Sequence, residues 1–153
     1  YLSLSNNKIS SLPSGVFDDL KSLTYLSLEQ NNLTHVPERL LGDLGNLQVV
    51  VLDLNQISSL PERVFQGLWH LQAVLLQHNQ LTTLPEDIFE DLRDLKQIWL
   101  AGNKLSFLPA RTFHALSNLE WLDLGENRLS SVSAEILRGL SRLTFLSLFG
   151  NQI

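Results

Sequence analysis

Four histidines, His35, His70, His78 and His114, are the side chains best suited to acid–base work or to metal binding. No two of them stand about three to five residues apart, as ligands on one element do. The sequence holds no cysteine, so thiolate ligands, a thiol nucleophile and disulfides are excluded within it. Serine could serve as a nucleophile. Yet Ser10-Ser11, Ser58-Ser59 and Ser130-Ser131 recur in pairs at multiples of 24 residues, which marks them as turn residues of a repeating frame. No G-x-S-x-G elbow and no glycine-rich phosphate loop occurs. Among the carboxylates, Asp53 and Asp123 would fall three strands apart in that frame. That is about 14 Å or more, beyond the reach of a paired-carboxylate site. No enzyme activity, metal or cofactor is therefore expected.

Asparagine is the polar residue whose spacing carries information. Asn7, Asn31, Asn55, Asn79, Asn103, Asn127 and Asn151 recur every 24 residues without a slip. Around each runs one frame, L-x-x-L-x-L-x-x-N-x-L-x-x-L-P-x-x-x-F-x-x-L-x-x. Complete copies begin at Leu23, Leu47, Leu71, Leu95 and Leu119, and partial copies cover 1–22 and 143–153, so that 1–153 reads as a single domain. The alternation L-x-x-L-x-L predicts a half-buried strand. Leu26 and Leu28, Val50 and Leu52, Val74 and Leu76, Ile98 and Leu100, Leu122 and Leu124 would point inward. Successive strands would pair in parallel. Each Asn would then turn the chain inside the core and spend its amide on free backbone groups of adjacent turns, a structural ladder and not a catalytic set.

The return path carries Leu-Pro at Leu12-Pro13, Leu60-Pro61, Leu84-Pro85 and Leu108-Pro109, with Val36-Pro37 as a variant. Proline favours extended chain and interrupts regular helix. Phe17, Phe65, Phe89 and Phe113 follow, with Leu41 and Leu137 in the same column, and would fill the wide space behind the sheet. Short 3₁₀ or helical turns are expected there. Trp69 falls at a repeat junction, where a packing role is expected. A narrow sheet against wider outer turns bends such a stack, which places the sheet on the concave side.

The chain carries 16 acidic and 11 basic residues, a net charge of -5, with 44% hydrophobic residues. That balance argues against a nucleic-acid partner, which needs clustered cations. No apolar run of about 18 residues suggests a membrane span.

The pattern LPxxxFxxLxxL at a 24-residue period resembles the typical class of extracellular leucine-rich repeats, shared by Toll-like receptor ectodomains, Slit, Nogo-receptor-like proteins and variable lymphocyte receptors. Leu12-Pro13-Ser14-Gly15-Val16-Phe17-Asp18-Asp19-Leu20, followed by Leu23-Thr24-Tyr25-Leu26-Ser27-Leu28, looks most like a variable lymphocyte receptor module. The resemblance implies an α/β leucine-rich repeat solenoid, curved and right-handed, with a parallel sheet on its concave face. It further implies a secreted or cell-surface location and immune recognition of a protein, glycan or microbial ligand on that sheet. Members of this class usually carry cysteine-rich caps. This sequence opens inside a strand and stops mid-repeat without them, so it is expected to be part of a longer protein. Its first residues already belong to a repeat, so no signal peptide is read in it. Asn32-Leu33-Thr34 is a glycosylation sequon, consistent with the secretory route.

Since the frame fixes the core, specificity must sit in the remaining strand positions, which face outward on the concave sheet. These supply the candidate binding residues Tyr25, Glu29, Val49, Val51, Asp53, Leu75, Gln77, His78, Gln97, Trp99, Trp121, Asp123, Phe145 and Phe149. Val51, Leu75 and Trp99 are expected to form a solvent-facing apolar ridge, and Glu29, Asp53, Asp123 and Glu126 an acidic fringe beside it. A homodimer through the same face, as in an adhesion or structural protein, a guidance-receptor-type binding domain and an intracellular scaffold are the alternatives.

Overall fold

A computed structural model describes all 153 residues. Seven short strands run along the chain: β1 Leu2–Ser3, β2 Tyr25–Ser27, β3 Val49–Val51, β4 Ala73–Leu75, β5 Gln97–Trp99, β6 Trp121–Asp123 and β7 Phe145–Ser147. They form one parallel sheet in sequence order, β1 to β7. Each strand pairs with the next at a 24-residue offset, as in Leu26↔Val50, Val74↔Ile98 and Leu122↔Leu146. Identical phase along the sequence thus becomes identical register across the sheet, and columns of the frame become columns in space.

Burial follows the frame. Leu26, Leu28, Val50, Leu52, Val74, Leu76, Ile98, Leu100, Leu122 and Leu124 are fully buried. Behind the sheet, Phe65 stacks on Phe89 with ring centroids 5.9 Å apart, and Phe89 on Phe113 at 6.1 Å. These offset stacks build an aromatic spine, interrupted toward Phe17 by the buried Leu41.

The outer path consists of short turns, as expected, with no continuous 3₁₀ helix. In the repeat around Phe89, Ile88, Glu90 and Leu92 donate their N–H groups to Pro85, Asp87 and Phe89, and Leu95 to Leu92. Bonds at alternate amides make a chain of single turns, since a continuous helix would use successive ones. The one helix is α1, Ala134–Leu137, a single turn. It forms in the repeat where Ser133 stands in place of proline and the strong helix formers Ala134 and Glu135 follow. Helix content is therefore slight, and the fold is a parallel-sheet solenoid with turns on its outer side.

The Asn column is a ladder. The Asn55 amide donates Nδ2–H to Leu52 O in its own turn (3.1 Å) and to Leu28 O in the preceding turn (3.0 Å), while its Oδ1 accepts from Leu33 N (3.0 Å). Asn31, Asn79, Asn103, Asn127 and Asn151 repeat the arrangement, each reaching back one turn. Asn31, Asn55, Asn79, Asn103 and Asn127 are buried. Asn7 is exposed and bonds within its own turn, to Leu4 O and Ser5 O.

The residue before each ladder Asn is left-handed. Asn6, Gln30, Leu54, His78, Gly102, Glu126 and Gly150 all have φ between 51° and 70°. This conformation reverses the strand so that the Asn side chain turns inward. L-residues other than Gly, Asn and Asp adopt it at a cost.

Candidate functional site

The candidate surface is the outward face of the sheet, built from strand residues that alternate with the buried ones. Tyr25, Val49, Ala73, Gln97, Trp121 and Phe145 form its first column, as β2 to β7 set them in register. Ser27, Val51, Leu75, Trp99, Asp123 and Ser147 form the second. Trp99 and Trp121 lie on this face and not in the core.

Aromatic rings dominate the β5–β7 end. Trp99 stacks on Trp121 with centroids 4.8 Å apart, and Trp121 on Phe145 at 3.6 Å and 7°. Strand spacing of about 4.8 Å favours such pairing between adjacent strands. Trp121 is sandwiched, so both its faces are covered. Trp99 Nε1–H donates to Gln97 Oε1 at 3.2 Å, whereas Trp121 Nε1 is buried with no partner. Phe149, just past β7, is 76% exposed. At the opposite end Tyr1 stacks on Tyr25 at 4.6 Å. Burial, and after it the neighbouring Tyr1, raises the Tyr25 hydroxyl above its ordinary pKa.

The expected apolar ridge is shorter than the sequence suggests. Leu75 and Trp99 remain half-exposed, but Val51 is only 5% exposed between Ser27 and Leu75. The acidic fringe is also reduced. Asp53 is 7% exposed, and its Oδ1 accepts from Gln77 N at 2.7 Å. Burial pushes the Asp53 carboxyl up to about 6, with Glu29 adding to the shift, while the Gln77 donors and His78 oppose it. Asp53 is thus part of the sheet's packing. Glu29 and Asp123 are half-exposed and Glu126 is exposed. Asp123 Oδ1 accepts from Gly125 N at 3.0 Å. Gln77 and Val49 are half-buried, and Gln97 and His78 are exposed, with the His78 ring over Gly102.

Other candidates are dispersed. No group of three or more His, Asp or Glu side chains gathers in metal-binding geometry. His70 pairs with Asp94 at 3.4 Å on an exposed flank. Trp69, expected to pack, is instead exposed there, at 49%. On the outer side a depression of about 260 Å³ lies between Phe65 and Ile88, where Asp91 accepts from Gly67 N at 3.0 Å and so ties one turn to the next. The Asn32 side chain is exposed. No helix is long and apolar enough to cross a membrane.

Sequence reasoning placed Trp99, Trp121 and Phe145 on this face but missed that they stack. The registration of Trp121 with Phe145 at a 24-residue offset was the available signal. Leu54, in the column that precedes the ladder Asn residues, is 44% exposed beside the sheet.

No curated protein matches the sequence. Solved structures do, 399 chains in number. One described as the crystal structure of the TLR13–ssRNA13 complex is 31% identical, with a TM-score of 0.88. The match covers 97% of this chain and 21% of that one, so this chain spans about a fifth of its length. The family described as Leucine rich repeat matches residues 1–52, 45–105 and 93–153. With no stretch of the sequence outside those three overlapping matches, and with a structure that repeats their period turn by turn, the chain belongs to the leucine-rich repeat family.

Proposed function

We propose that this chain is a recognition module of the Toll-like receptor ectodomain type, binding a macromolecular ligand on its inner sheet. The observation that carries this reading is the contiguous apolar surface of Leu75, Trp99, Trp121, Phe145 and Phe149, which faces away from the core across β4–β7. Such patches mark interaction sites, and aromatic residues dominate interface energetics. The structural neighbour is described in complex with single-stranded RNA. In this chain the first and second columns, a third made of Ser5, Glu29, Asp53, Gln77, Ala101, Gly125 and Phe149, and the left-handed column from Asn6 to Gly150 contain no Lys or Arg, which favours a protein or glycan ligand over a polyanion. An immune role in an extracellular or endosomal compartment, with a glycan on Asn32, extends the same likeness. A second reading, self-association, would use the same exposed aromatic residues.

The test is a binding screen of purified extracellular proteins, glycans and single-stranded RNA against the chain, with Trp99→Ala and an outer-turn control, Glu62→Gln. Loss of a ligand in Trp99→Ala and its retention in Glu62→Gln supports the inner face. Equal affinity in both variants moves the site elsewhere. Sedimentation across a concentration series separates the second reading, since a dimer dissociated by Trp99→Ala favours it.

A further inference from the structure

We infer that the β5–β7 end of the inner sheet receives a basic, extended polypeptide segment, which meets the edges of the aromatic stack while its cations meet Asp123 and Glu126. This rests on the inner-face reading above and names the ligand chemistry of that face.

The stack decides what can bind at its centre. A sugar ring or a nucleobase needs a free aromatic face. Trp121, at the centre, has none, because Trp99 covers one side and Phe145 the other. What it turns outward is ring edge, which carries partial positive charge and attracts acceptor oxygens. Backbone carbonyls of an extended segment supply these at regular intervals.

Charge decides the rest. The ion pairs Arg111–Asp87 and Arg138–Glu135, and the His70–Asp94 contact, all lie off the inner face. Asp123 and Glu126 have no cation partner. Asp123 is held in place through Oδ1 by Gly125 N–H, while Oδ2 makes no hydrogen bond with the protein. A carboxylate fixed before binding loses little freedom when a guanidinium or ammonium arrives. In the third column, between Gln77 and Phe149, the side chains shrink to Ala101 and Gly125. A Cβ at Gly125 would lie 3.1 Å from Ser147 Oγ and 3.2 Å from Asp123 Oδ1. Gly125 is itself buried, and any side chain there would crowd Asp123 and Ser147, so glycine at this position leaves the carboxylate in place.

The experiment uses fluorescence anisotropy with three labelled probes: a short peptide alternating Arg and Leu, its Glu–Leu counterpart, and single-stranded oligouridylate. The Arg–Leu peptide should bind at least about tenfold more tightly than either other probe. The double variant Asp123→Asn/Glu126→Gln should weaken it about fivefold or more without changing Tm, and Trp99→Ala should weaken it also. The same charge change on the outer turns, Glu62→Gln/Glu86→Gln, should leave it within about twofold. No binding of the Arg–Leu peptide up to about 1 mM overturns the inference, as does equal weakening by the outer-turn pair. Tighter binding of the Glu–Leu peptide or of RNA, lost in Trp99→Ala, overturns the basic-segment inference and leaves the inner-face reading standing. Binding of every probe unchanged by Trp99→Ala overturns both.

Discussion

Asp53 occupies a strand position that should meet water and is covered nonetheless. Its carboxyl, ordinarily near 3.8, is raised to about 6 chiefly by burial. The folded chain therefore holds a proton that the unfolded chain has already released over that interval. The favourable contribution of the protonated form is complete below about pH 4 and is lost as pH rises through 6. Asp53→Asn keeps an oxygen to accept from Gln77 N and removes the buried charge. Urea unfolding should show it more stable than the parent by about 1–2 kcal/mol at pH 7.5, with the difference vanishing near pH 4. A second residue-scale cost lies at Leu54, whose φ is 54°. Leu54→Gly should stabilise by about 0.5–1 kcal/mol and Leu54→Val should destabilise, since a β-branched residue fits the left-handed region worst. The reverse order would mean that the Leu54 side chain contributes packing that outweighs the strain. Only Asn6, Gly102 and Gly150 hint at this column in the sequence. Gln30, Leu54, His78 and Glu126 give no sign, because the ladder imposes their conformation against their own preference.

Elements in this molecule are too short to be stable alone. A three-residue strand gains its persistence from neighbours on both sides and from the Asn beneath it. Asn79 connects three carbonyls and the Ile57 N–H. Asn79→Leu should cost about 3 kcal/mol or more by thermal unfolding, because buried backbone groups in two turns lose their partner together. A loss under about 1 kcal/mol would mean that water replaces the amide. The ladder was legible in advance because a buried polar residue at fixed phase has few other uses. The stack was not. Its cost is the orphaned Trp121 Nε1, and Trp121→Phe should retain the ring contacts while gaining about 1 kcal/mol in thermal unfolding.

Across the whole molecule, an unbroken 24-residue period made the sheet, its register and its core readable, since each repeat must bury its apolar face on the next. The exposure of individual inner-face residues was not readable. Val51 and Asp53 show why: a period says which way a side chain points, while the neighbours decide whether water reaches it.

The ladder has a direction. Every Asn side chain from Asn31 onward bonds to the turn before it and to none after it, and its bonds to that preceding turn span 22 and 27 residues. Excising one whole unit, from any Leu to the residue before the next, lets each remaining Asn find an equivalent carbonyl and amide. Excising one residue fewer does not. Size in this architecture is therefore quantised: the inner surface can grow or shrink by a strand's width, about 4.8 Å, at little cost to what remains. Descent and engineering alike can fit it to a ligand by counting.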